Sequence, residues 1–95
     1  MAPKVEVKVL ADGSLILDGQ PGTLESIDQR FAELVKAKGV VLYYREAAQS
    51  APPRVAIKVV ELVIKHRLPI SMSSKPDYSD SVDDKGVSHP RRTRG

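Results

Sequence analysis

The 95-residue chain contains no cysteine and no tryptophan, and its only aromatic residues are Phe31, Tyr43, Tyr44 and Tyr78. Without a thiol there can be no disulfide, no thiolate nucleophile and no thiolate zinc site, and the redox compartment is left open. Long apolar runs are missing too. The longest, Val40 to Tyr44, has five residues, against the roughly 20 that a membrane helix needs. The N-terminus, Met1-Ala2-Pro3-Lys4-Val5-Glu6, enters alternating charge at once, with no apolar stretch that would read as an export signal.

Charge of one sign is also scarce. Fifteen basic against twelve acidic side chains give a net +3, spread as ten and eight over residues 1–74 and five and four over 75–95. With 41% hydrophobic and 28% charged residues the composition is that of a globular protein, and the length supports one domain.

Val5, Val7 and Val9 alternate with Lys4, Glu6 and Lys8, which predicts a half-buried strand from Lys4 to Leu10. Asp12-Gly13 marks a turn, and Leu15-Ile16-Leu17 a second strand closed by Asp18-Gly19, so the two form an antiparallel hairpin. Leu24, Ile27, Phe31, Leu34 and Val35 then recur at helical spacing over about 23–38. Thr23 is the expected N-cap of that helix, and Gly39 its left-handed stop. Val40 to Arg45, β-branched and aromatic, predicts a third strand buried on both faces.

From Pro53 to Arg67 the polar positions Arg54, Lys58, Glu61 and Lys65 form one stripe, which predicts a second helix despite its many β-branched residues. Ile70 to Ser73 alternates as a fourth strand. After it the only apolar residues besides Gly and Pro are Tyr78, Val82 and Val87, which predicts a disordered tail over 75–95. The expected domain is thus 4–74, an α+β two-layer sandwich of order β-β-α-β-α-β. Both helices should lie on one face of a mixed sheet, with Lys4, Glu6 and Lys8 on a solvated opposite face.

That order resembles the C-terminal soluble domain of the ExbD/TolR family of proton-driven transport proteins. The residues that carry the likeness are Asp12-Gly13-Ser14-Leu15-Ile16-Leu17-Asp18-Gly19, the strand Val40 to Arg45, Ala56 to Val63 and Ile70-Ser71-Met72. The chain departs from the family at Pro52-Pro53, where an aspartate and a tyrosine are common, and at Leu68-Pro69, where an Ala-Gly pair often ends the helix. The family's membrane helix with its proton-carrying aspartate has no counterpart in this sequence. The resemblance therefore implies a non-enzymatic module that dimerises and binds a protein partner or cell-wall polymer. Its place would be the periplasm if it is an excised domain and the cytoplasm as written.

Candidate chemistry is sparse. His66 sits at the end of the second helix, where a cation complements the helix dipole, and His89 lies in the expected tail; neither has a second ligand at metal spacing, so no metal is expected. Glu46 and Glu61 read as a strand end and as a helix-surface partner of Lys65, and Ser71, Ser73 and Ser74 as polar strand-edge residues. No catalytic group and no cofactor is expected. Arg91, Arg92 and Arg94 form a short basic cluster that supports, as the alternative, a small nucleic-acid-binding protein. The second helix is apolar over more than one sheet face can hide, so it must meet a second surface, either the first helix or another subunit; for the latter, Val55, Val59, Val60 and Val63 with Tyr43 and Tyr44 are the candidate interface, of a homodimer by the resemblance.

Overall fold

A computed structural model describes residues 3–46, 53–75, 77–83 and 85–90. Strand β1 (Lys4–Val9) pairs antiparallel with β2 (Leu15–Leu17), in the register Val7 to Leu17 and Val9 to Leu15. The turn between them is closed by the Asp12 carboxylate, which accepts from the Ser14 N–H at 2.9 Å, with Gly13 at a φ of 89°. Asp18 and Gly19, at φ 50° and 82°, do more than end β2. They form a two-residue hairpin turn of the kind that requires two positive φ values, and it leads into a further strand, β3 (Gln20–Gly22). Pro21 removes β3 from any sequence-based reading as a strand; an edge strand tolerates it because one side of its backbone needs no partner.

Helix α1 (Leu24–Lys36) starts at the expected N-cap. Thr23 Oγ1 accepts from the Ser26 N–H at 3.0 Å, and Ser26 Oγ accepts from the Thr23 N–H at 2.8 Å. Its end differs from expectation, because the left-handed residue is Lys38, with a φ of 57°, and not Gly39. Gly39 is small for another reason: a Cβ there would lie 2.6 Å from the Pro3 carbonyl oxygen and inside the Leu34 side chain.

Strand β4 (Val40–Arg45) lies centrally, parallel to β1 on one side and to β5 (Ile70–Ser73) on the other. Helix α2 (Arg54–Lys65) makes the second parallel crossover. The described part of the expected tail is not disordered: β6 (Asp80–Val82) and β7 (Ser88–Pro90) extend the sheet, so the domain reaches past 74. Polar contacts take the place of apolar burial there. Asp80, 2% exposed, accepts from the hydroxyls of Ser74 and Ser88, while the Asp83 carboxylate accepts from the Lys85 and Val87 N–H groups at 2.9 Å. Among the described residues seven strands run β3-β2-β1-β4-β5-β6-β7, a mixed sheet in an α+β fold.

Register places Val5, Val41 and Ile70 in one row across the sheet and Val7, Tyr43 and Met72 in the next. Ile27, Phe31 and Leu34 of α1 and Ala56, Val59 and Val63 of α2 pack in one core with the β1 and β4 members of those rows, so both helices lie on that face. Their cover ends after β4. In the second row Val7 is 0% exposed, Tyr43 5% and Met72 44%.

Candidate functional site

Where the helical cover stops, a groove opens beside α2. Helix α2 turns one side to the sheet with Ala56, Val59 and Val63, and Leu62 lies toward α1. Ile57 and Val60 line the groove, and Ile64 continues their spacing, three and then four residues on, which places the three along one side of the helix. Tyr43, Met72 and Val82, which share a row across β4, β5 and β6, form its floor. Ser74, Gly86 and Ser88 close the end toward the β6–β7 hairpin, and Arg45 and Glu61 also line it. The space is about 730 Å³, within the size range of small-molecule and side-chain clefts. Ile57 and Ile64 remain half and two-thirds exposed.

The six residues singled out from the sequence are not brought together. Val59 and Val63 are buried in the core, which corrects their assignment to an interface, and Val55 is half-buried against the same cluster. Val60 and Tyr43 line the groove, Tyr43 from its buried inner wall. Burial pushes the Tyr43 phenol above its ordinary value, and the Arg45 guanidinium opposes that shift. Tyr44 is on the opposite sheet face, with the Lys8 ammonium 6.0 Å from its ring centre. The sequence showed Ile57 and Ile64 as part of the apolar arc of α2 but did not single them out for the interface, and it gave Met72 no such role. The usable signal was the seven-residue spacing of Ile57 and Ile64, beside a polar stripe that already accounts for the outermost helix surface.

The other polar candidates serve the fold. Glu46 accepts from the Ala11 N–H at 2.8 Å and so ties β4 to the first turn. The Lys65 ammonium lies 3.4 Å from Asp28 on α1, where Glu61 was its expected partner. His66, 15% exposed at the α2 C-cap, holds Asp28 at 2.6 Å with its ring edge-on to Phe31; this bond keeps the Asp28 carboxyl below its ordinary value. His89 is bonded to Asp83 at 2.8 Å. Ser73 donates to the Asp80 carbonyl and Ser74 to its carboxylate. Arg91, Arg92 and Arg94 lie outside the described residues. Among the described residues no group of three or more His, Asp and Glu side chains is placed to hold a metal ion, and no helix is long and apolar enough to cross a membrane.

Neither family models nor curated proteins match this chain. The apolar walls of the groove desolvate aliphatic or aromatic groups, and Ser74, Ser88, Arg45 and Glu61 offer hydrogen bonds at its margin. Two of its lining hydroxyls, Ser74 and Ser88, donate to the Asp80 carboxylate, and Glu61 is the one carboxylate among the described residues that line it.

Proposed function

We propose that the chain is a non-enzymatic binding and assembly module, similar in role to the soluble domain of ExbD/TolR proteins. It self-associates and takes a protein partner or the cell-wall polymer, with the α2 groove as the contact surface. The observation that carries this reading is the exposure of Ile57 and Met72 on the walls of one open groove, with Ile64 exposed further along the same side of α2.

Physical chemistry supports it in two steps. Burying an aliphatic side chain fully is worth roughly 1.5–3 kcal/mol, so two or three such residues on each side offset the entropy of a micromolar docking. The sheet edges, by contrast, invite little, because β3 carries Pro21 and β7 carries Pro90, and proline on an edge strand blocks strand addition. Association through a helix-side surface follows.

The test is retention on peptidoglycan sacculi, run beside a titration with single-stranded RNA at two salt concentrations. Binding to sacculi that Met72→Glu abolishes supports the proposal. RNA binding that weakens steeply with salt, in the absence of sacculus binding, would replace it with the nucleic-acid reading, since phosphate contacts release counterions.

A further inference from the structure

The outer sheet face is not the solvated surface that Lys4, Glu6 and Lys8 suggest. Register sets Glu6 beside Leu42 and Lys8 beside Tyr44 on this face, and Leu42 there is only 4% exposed. The loop between β5 and β6 brings Tyr78 onto it. The Lys8 ammonium stands 6.0 Å from the centres of both the Tyr44 and the Tyr78 rings, and the carboxylates of Glu6 and Asp18 act on the Tyr78 hydroxyl. The Tyr78 ring therefore crosses β4 on the outside, and the residue is 9% exposed.

Tyr78 holds this place in an unfavourable backbone conformation. Its φ is 58°, a region that bulky residues rarely adopt. Tyr78 sits in a turn of its own, its N–H bonded to the Lys75 carbonyl at 3.0 Å and the Asp77 carboxylate accepting from the Ser79 N–H at 3.0 Å, while the other positive-φ non-glycine residues among those described, Asp18, Lys38 and Arg67, have smaller or unbranched side chains in a two-residue turn and just past helix ends. A strained residue that persists must be held by its surroundings, and strain of this kind collects at clamps and switch segments.

We propose that Lys8, Leu42 and Tyr44 form a slot for a phenol ring, that Tyr78 fills it in cis as a latch, and that a tyrosine side chain of a partner protein competes for it. The apolar floor is Leu42, and the cation on the ring face is Lys8. Relief of the Tyr78 backbone strain favours exchange of the cis ring for a trans one. This site is on the face opposite the α2 groove and stands independently of it.

The probe is p-cresol, the tyrosine side chain alone, followed by amide and methyl NMR on wild type and Tyr78→Gly. The glycine variant vacates the slot and accepts the positive φ without strain. It should bind p-cresol with shifts confined to Lys8, Leu42 and Tyr44. Wild type should bind the same ring about 10- to 1000-fold more weakly, the factor by which a minor open state lowers apparent affinity. A folded Tyr78→Gly that shows no such shifts overturns the proposal. If that variant does not fold, wild type decides: saturating p-cresol must speed exchange of the Tyr78 amide, which is bonded to the Lys75 carbonyl at 3.0 Å, and unchanged exchange overturns the proposal.

Discussion

The Asp80 carboxylate accepts from the Ser88 hydroxyl at 2.5 Å, and through this bond and the one from Ser74 it joins three strands at the edge of the sheet. Those two hydroxyls are also the main cause of the depressed Asp80 carboxyl, which titrates at about 2 in place of 3.8. The folded state then holds fewer protons than the unfolded one in that interval, so stability rises with pH across it. The stabilisation should be complete above the ordinary value and lost as pH falls toward 2. Amide exchange of β6 and β7 against pH would show the loss in wild type and no such step in Asp80→Asn, which should open the hairpin at every pH.

The opposite limb of the pH axis reports on Tyr78. Burial first, and then the Glu6 and Asp18 carboxylates, push its phenol to about 12 from 10. In this interval the unfolded state releases protons sooner, so stability should fall as pH rises from 10 toward 12. Chemical denaturation over that range should give a shallower decline for Tyr78→Phe than for wild type.

The end of α1 separates two explanations of one glycine. Because Lys38 and not Gly39 is left-handed, Lys38→Gly should raise stability by roughly 0.5–1 kcal/mol. Gly39→Ala should lower it by roughly 1–3 kcal/mol, as Leu34 and the Pro3 carbonyl are pushed apart. Urea denaturation of both variants measures the pair, and a neutral Gly39→Ala would refute the contact.

The two sides of α2 can be told apart by truncation. Val59, fully buried, should cost roughly 2 kcal/mol as alanine. Ile64→Ser, at a position 69% exposed, should stay within about 0.5 kcal/mol of wild type. Equal losses at both positions would mean that α2 is rotated from the orientation described.

What the sequence made legible was whatever periodicity encodes. The alternation of Val5, Val7 and Val9, the helical spacing of Ile27, Phe31 and Leu34, and the unbroken run at Val40 gave the sheet face, the first helix and the central strand, and both Thr23 and Pro53 were found where the helices begin. Gln20-Pro21-Gly22 has no strand composition, and only its partner β2 makes it one. The β6–β7 hairpin was hidden for a similar reason: its order comes from Asp80 and Asp83 bonding to serine hydroxyls and backbone, and a polar, aspartate-rich string reads as solvated until those partners are in place. The groove was half legible. The excess of apolar residues on α2 was plain in the sequence, but which of them α1 and the sheet would bury depended on where the helical cover ends.

The central claim, that the α2 groove is a contact surface, is tested most directly by sedimentation equilibrium of wild type and Ile57→Glu. Wild type should dimerise at micromolar concentration, and the variant should be a monomer whose denaturation midpoint equals that of wild type diluted below its dimerisation range, since Ile57 is half exposed in the single chain. A wild type that remains monomeric at high micromolar concentration, or a variant that dimerises as well as wild type, would contradict it.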